Sequence, residues 1–184
     1  MNAQTTKTKT EESTSDKDKI RYSIRKTSLG YAAVALSETG ICAVLLGDNE
    51  ENLREELFAE FPEASLSIIP KNENDPLVLK TIAYLELPKA KTNLPLDIRG
   101  TEFQQLVWQA LRKIPAGETR TYSMIAEEIG HPTAARAVGA ACGSNKLALL
   151  VPCHRVVPSD SRKISHYRWG HLRKEELLKR EASK

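Results

Sequence analysis

The chain has 184 residues, 40% hydrophobic and 28% charged, with a net charge of +3, enough for one large domain or two small ones around a buried core. It shows no run of eighteen apolar residues and no charged-then-apolar leader, which argues against a transmembrane helix and a secretory signal. Its three cysteines, Cys42, Cys142 and Cys153, are an odd count with no close pair. That argues against a disulfide framework or a thiolate zinc cage and for a reducing compartment, by default the cytoplasm.

Residues 1–18 are polar and almost free of apolar side chains, a composition that cannot offset its ordering entropy and so predicts disorder. The tail has no Arg and carries acids, which makes it a poor mitochondrial leader. Residues 19–95 read as a small α/β unit. Ile20, Tyr22 and Ile24 alternate with Arg21, Ser23 and Arg25, the period of a half-buried strand. Tyr31–Leu36 and Ile41–Leu46 flank a Glu38-Thr39-Gly40 turn and predict a hairpin. Asn49 can cap a helix with Leu53, Leu57 and Phe61 on one face and Pro62 at its end. Asp75-Pro76 predicts the cap of another helix running to about Leu87. Nothing here suggests catalysis; the unit reads as scaffold, and Cys42 as a small buried hydrophobe.

A second unit covers residues 96–184. Thr101-Glu102-Phe103-Gln104 fits a capping box, and Phe103, Leu106, Val107, Ala110, Leu111 and Ile114 predict a helical stripe. Pro115-Ala116-Gly117 closes that helix. A short helix from Thr121 to Gly130, the turn His131-Pro132-Thr133 and an Ala/Gly-rich helix over 134–141 spell a helix-turn-helix. Small residues there permit either close approach to a partner or close packing in the core. The lone Arg136 favours the former. Charge agrees: residues 1–96 carry 12 basic and 15 acidic groups, residues 97–184 carry 15 and 9, so a polyanionic partner is expected on the second unit. The apolar run Leu147–Val151 predicts a strand, at whose rim Pro152-Cys153-His154-Arg155 sets a thiol beside a base and a cation.

The segments LPLDIRGTEFQQLVWQALRKIPAGETRTY, IAEEIG, ARAVGAACGSNKLALLVPCHRVV and YRWG followed by RKEELLKRE resemble the methylated-DNA–protein-cysteine methyltransferases, the self-inactivating O6-alkylguanine repair proteins, and in particular the C-terminal domain of bacterial adaptive-response proteins. The likeness continues more weakly back to about residue 20. The metal-bearing domain that precedes it in those proteins has no counterpart among these residues. The resemblance implies an α/β fold with a ribonuclease H-like first unit and a winged-helix-like second unit. It also implies no cofactor, no metal and no membrane, and a monomer acting on double-stranded DNA that carries O6-alkylguanine or O4-methylthymine.

Alkyl transfer to sulfur needs a thiolate at Cys153. The resemblance implies a water bridge to His154 with Glu181 behind the imidazole. Glu181 also follows Leu177 and Leu178 on the apolar face of the terminal helix, where a carboxylate needs a partner. Tyr122 matches a phenol donor to the purine. Asn145 matches a brace for the turn before the cysteine. Cys142, Val156, Ser165, Tyr167, Arg168 and Trp169 are expected at the pocket, Cys142 as packing and not as a second nucleophile. A base in a duplex must be rotated out to react. Arg136 matches an inserted arginine, Ala134, Ala135 and Gly139 allow minor-groove approach, and Thr121, Tyr122, Ser123 and Thr133 complete the DNA-binding set. The thioether product cannot regenerate the thiol, so one molecule removes one lesion.

The glycine-containing loop that family members usually have before the pocket aromatic is here the glycine-free stretch 158–166, and Trp169 stands at a position that is small in some relatives, which predicts a narrower entrance favouring methyl over benzyl groups. His131, His166 and His171 receive no role. A non-catalytic lesion binder would lack the cysteine, a DNA-binding regulator would leave Pro-Cys-His-Arg idle, and a Cys-His hydrolase would not need the Ala/Arg helix.

Overall fold

A computed structural model describes residues 18–88, 92–160 and 166–182. The expectation of a disordered tail falls on residues 1–17 and lies outside the described residues. The first unit contains strands β1 (Lys19–Thr27), β2 (Gly30–Leu36) and β3 (Ile41–Gly47), helix α1 (Glu50–Glu60), strand β4 (Ser65–Ile68) and helix α2 (Pro76–Glu86). The sheet order is β3-β2-β1-β4, antiparallel except for the parallel β1–β4 pair. Asn49 and Asp75 cap the two helices as their side chains predict, Asn49 accepting from Asn52 N and Asp75 from Leu77 N and Val78 N. In β2 and β3 consecutive residues Ala32–Leu36 and Ile41–Leu46 are all buried, so both faces of these strands are covered. β4 carries no strand period, since three of its four residues are exposed, and only its parallel register with Lys19–Tyr22 defines it.

The second unit continues with α3 (Glu102–Arg112), β5 (Arg120–Thr121), α4 (Tyr122–Glu128), α5 (Ala135–Gly143), a 3₁₀ turn (Cys153–Arg155), β6 (Val156–Val157) and α6 (His171–Ala182). The reciprocal capping box is present between Thr101 and Gln104. The stripe of α3 differs from expectation at one step: Leu106 is exposed, and Trp108 is buried with its indole N–H donating to the Ala141 carbonyl at 2.8 Å. The cause is tertiary, because α5 packs on the Trp108 side of the helix. On α5 both readings of the small residues hold, on different faces. Val138, Ala141 and Cys142 are buried, while Arg136, Ala137 and Ala140 are exposed.

The expected strand at Leu147–Val151 is not formed. Leu147 makes an isolated bridge to Val44, and the chain then turns through Leu149, which is held at φ 63°. An apolar run without periodicity reports burial and not strand geometry, and all five residues are indeed buried. The bridge matters for the site. The free edge of β3 takes Ile41 N to Pro95 O and Asp97 N to Ile41 O on one stretch, then Val44 N to Lys146 O and Ala148 N to Val44 O on the next. The edge strand of the first unit thus holds both the entry to the second unit and the segment leading to Cys153, which covers that edge at Ile41 and Val44. Val156–Val157 of β6 pairs in parallel with Arg120–Thr121 of β5, bringing the residues after Cys153 against the start of α4. Thr101→Ala should cost about 1 kcal/mol in urea unfolding, because the α3 cap loses its side-chain acceptor.

Candidate active site

Asn145 follows the C-cap of α5 and is 1% exposed. Its Oδ1 accepts from Leu147 N at 2.8 Å, and its Nδ2 donates to Val151 O at 2.9 Å. One side chain therefore satisfies the backbone of the irregular turn that would otherwise be buried unpaired. The same Nδ2 lies 3.2 Å from Cys153 Sγ. Pro152 leads into the 3₁₀ turn, where successive side chains diverge by about 120°. Cys153 faces a cavity and His154 faces α6.

The cavity is about 190 Å³ and is lined by Tyr122, Gly139, Cys142, Gly143, Cys153, His166, Tyr167 and Arg168. A wider groove of about 670 Å³ shares Tyr122, Gly139 and His166 with it and adds Ser123, Ala135, Arg136, Pro158 and Ser159. The floor of the site thus opens past the Ala/Gly face of α5 to the exposed Arg136, which has no hydrogen bond or ion pair among the described residues.

Beneath the cavity lies a buried charge network on the stripe Lys174, Leu177, Glu181 of α6. Glu181 Oε1 is 2.9 Å from His154 Nε2. Arg155 Nε donates to Glu181 Oε2 at 3.0 Å, Nη2 to Oε1 at 2.7 Å, and Nη1 to the Ile114 carbonyl at 2.6 Å. Burial by itself would raise the Glu181 carboxyl; the hydrogen bonds from His154 and Arg155 outweigh it and hold it at about 2. A carboxylate only accepts, so Nε2 carries the hydrogen and Nδ1 the lone pair, a tautomer assigned from this network. His154 Nδ1 is buried and has no hydrogen-bond partner among the described residues. Burial also lowers the imidazole below its ordinary value, which keeps it neutral near pH 7.

Burial pushes the Cys153 thiol up to about 11, against the opposing effects of the Asn145 hydrogen bond and the Lys174 charge. Lys174 is 1% exposed, donates to the Val156 carbonyl at 2.5 Å, and is itself held below its ordinary value by burial. Cys142 is raised to about 12 by burial and by Cys153, so it too is held protonated. Burial raises the Tyr122 hydroxyl to about 12, which keeps it a protonated donor.

Of the residues singled out from the sequence, Cys153, His154, Glu181, Asn145, Tyr122, Cys142, Tyr167 and Arg168 meet at this place. Gly139 lines both cavities, Ala135, Arg136 and Ser123 line the outer groove, Thr121 caps α4 by accepting from Met124 N, and Thr133 and Ala134 form the turn into α5. Two pocket assignments need correction. Val156 is fully buried and pairs with Arg120 instead of facing the cavity. Trp169 is 4% exposed, with its ring edge-on to that of Tyr167 at 5.2 Å, and it lines a separate groove with Leu29 and Gly30 instead of this cavity. A Trp outside the cavity lining does not itself narrow the entrance. Ser165, and with it residues 161–165 of the glycine-free loop, lies outside the described residues. The sequence reading missed Lys174, the pairing of Arg155, and the lining residues His166 and Gly143. Lys174 was within reach, since it shares the face of α6 that singled out Glu181.

Among the described residues no three His, Cys, Asp or Glu side chains are grouped to hold a metal ion, and no helix is long and apolar enough to cross a membrane. Residues 102–183 match the family model for the 6-O-methylguanine DNA methyltransferase, DNA binding domain. The chain is 49% identical over 170 residues to the bifunctional transcriptional activator/DNA repair enzyme Ada of Escherichia coli, covering 89% of this chain and 46% of that protein. It thus spans about half the length of such relatives. A methylated-DNA–protein-cysteine methyltransferase of Methanosarcina acetivorans is 40% identical over 156 residues, 81% of this chain and 97% of that one. The fold is mixed α/β and matches the crystal structure of Mycobacterium tuberculosis OGT in complex with DNA, with a TM-score of 0.71 and 32% identity over 88% of this chain and 92% of that one. With identity running through nearly the whole of the Methanosarcina protein, and a buried thiol set beside an imidazole–carboxylate pair, the chain belongs to the methylated-DNA–protein-cysteine methyltransferase family.

Proposed function

We propose that this protein repairs O6-methylguanine, and O4-methylthymine, in double-stranded DNA by moving the alkyl group irreversibly to its own Cys153. The observation that carries this reading is one cavity with a buried thiol lining it, a neutral imidazole next to that thiol in the chain, and an arginine in the adjoining groove, His154 Nδ1 and Arg136 both lacking partners among the described residues. The bound species is an extruded nucleotide, its place in the stack filled by Arg136 while Ala134, Ala135 and Gly139 allow close approach of the backbone. Phosphate contacts from Thr121, Ser123, Thr133 and the helix N-termini supply the salt-dependent part of the affinity. DNA as partner is further supported by the matching DNA-binding family model and by the M. tuberculosis relative solved with DNA.

In the transfer step the Cys153 proton passes through one water to His154 Nδ1, and the charge that forms on the imidazole is stabilised by Glu181. The S–CH₃ bond forms as the O6–CH₃ bond breaks, and the electron pair goes to the purine, where the Tyr122 hydroxyl donates to the developing anion. The thioether has no good leaving group, so each molecule acts once and no cofactor is consumed. The same reading takes residues 19–95 as a ribonuclease H-like scaffold and 96–184 as a winged-helix-like DNA-binding and alkyl-accepting unit. The protein acts as a monomer in the cytoplasm, where its three free thiols stay reduced. A non-catalytic lesion binder of the same fold is disfavoured by the acceptor thiol itself.

Incubation with methylated duplex DNA should add one methyl group to Cys153, located by peptide mass spectrometry, with one lesion lost per molecule. Repeated turnover, or lesion loss with Cys153→Ala, overturns the reading. In the free protein, alkylation of Cys153 by iodoacetamide should accelerate about tenfold per pH unit from neutrality toward the raised thiol value, because only the thiolate reacts. A plateau below pH 8 contradicts this. Glu181→Gln should lower stability by about 3–5 kcal/mol in urea, since Arg155 is left buried without its counter-charge. The sign with pH follows from a folded value held below the unfolded one: the contribution of Glu181 is complete above 4.5 and is lost as pH falls toward about 2. The wild-type urea midpoint should therefore drop across that window more steeply than that of Glu181→Gln.

A further inference from the structure

Helix α1 belongs to the first unit, yet two of its carboxylates end at the wall of the cavity in the second. Arg168 lines that cavity. Its Nη2 bonds to Glu56 Oε1 at 3.0 Å and to Glu60 Oε1, and its Nη1 donates to the Asn145 carbonyl at 3.2 Å. Glu60 holds a second cation as well: Lys146 Nζ lies 2.9 Å from Glu60 Oε2 and donates to the Glu60 carbonyl at 3.2 Å. Glu60 therefore holds the chain beside Asn145 in two ways, directly through Lys146 next to it and, through the Arg168 guanidinium, at the Asn145 carbonyl. Asn145 in turn contacts Cys153 Sγ at 3.2 Å.

These pairs differ from ordinary surface ion pairs. The side chains of Arg168 and Glu60 are 16% and 21% exposed, so solvent screens them less than the exposed pairs that contribute little. Burial would raise the Glu60 carboxyl, but the hydrogen bonds from Lys146 and Arg168 hold it below its ordinary range. A long guanidinium side chain at the wall of a cavity sized for a base would otherwise be free to swing into it. With Nη1 and Nη2 engaged by a carbonyl and two carboxylates, the planar fork is locked beside the opening.

We propose that Glu60, assisted by Glu56, is a positioning residue for alkyl transfer: from the first unit it fixes Arg168 and the Asn145 turn, and so sets Cys153 relative to the bound base. The inference rests on Cys153 being the alkyl acceptor, and it gives the scaffold unit a part in the chemistry beyond stability.

The test uses the full chain with Glu60→Gln, Glu56→Gln, the double variant, and Glu50→Gln as a control on the same helix, whose exposed partner is Lys71. Three quantities are measured: the single-turnover transfer rate at saturating methylated duplex, the affinity for that duplex, and the pH midpoint of Cys153 alkylation by iodoacetamide. Glu60→Gln should slow transfer about tenfold or more, as misplacement of a reacting atom does, with affinity changed less than about twofold and the alkylation midpoint moved upward as the Asn145 hydrogen bond loosens. Glu56→Gln should move the same way by less, and serves if the Glu60 variant does not fold. Glu50→Gln should match wild type. Loss of thermal stability with the saturated rate and the midpoint unchanged would make the clamp purely structural and overturn the proposal. A wild-type protein that transfers no methyl group would instead overturn the acceptor role of Cys153.

Discussion

The carboxylate of Glu181 sits fully buried at the junction of α6, the 3₁₀ turn and the end of α3, and the remainder of the site is arranged around it. Two side chains share it, and the Gly117 N–H donates to it as well. Arg155 neutralises its charge and anchors to Ile114, and His154 is held by it in one tautomer and one orientation. A buried ion pair of this kind adds little net stability over an apolar equivalent, but removing one member leaves an uncompensated charge. The last helix is therefore bound to the segment that carries the thiol by an interaction that fails all at once. Catalytic geometry and the folded state share one bond set.

On the proposed function, that arrangement bears on how a single-use acceptor survives before it meets its substrate. A thiol of low pKa would be a thiolate at rest and would react with any small electrophile. Here burial keeps Cys153 in its protonated form, while Asn145 and Lys174 limit how far the ionised form is disfavoured. The base beneath it is neutral for the same reason, desolvation. On the proposed function, reactivity is thus withheld until an alkyl carbon is seated in the cavity, where the proton can move as the new bond forms.

The two units are joined through one strand edge and one helix. The outer edge of β3 takes up both the chain entering the second unit and the turn before Cys153, and α1 reaches across with Glu56 and Glu60. The free edge of a sheet is an aggregation hazard; here it serves as the seat for an irregular, buried turn whose remaining backbone groups are satisfied by the Asn145 side chain.

Much of this was legible in the residues because it is local. The caps at Asn49, Asp75 and Thr101, the strand at β1, the hairpin of β2 and β3 and the two short helices α4 and α5 each depend on neighbours within a few positions. The stripe of α6 pointed to Glu181, though not to Lys174 on the same face, and family likeness joined Glu181 to His154. What only the tertiary structure decided depends on groups far apart in the chain. β4 is a strand only because β1 lies beside it. Leu147–Val151 is a turn only because β3 and Asn145 take its hydrogen bonds. Trp108 is buried in place of Leu106 because α5 packs there, Trp169 stands edge-on to Tyr167 outside the cavity lining, and Arg168 is held by carboxylates more than a hundred residues away. Apolar runs and single charges report that a residue needs burial or a partner; which surface and which partner is settled by packing, because that choice is made between elements and not within them.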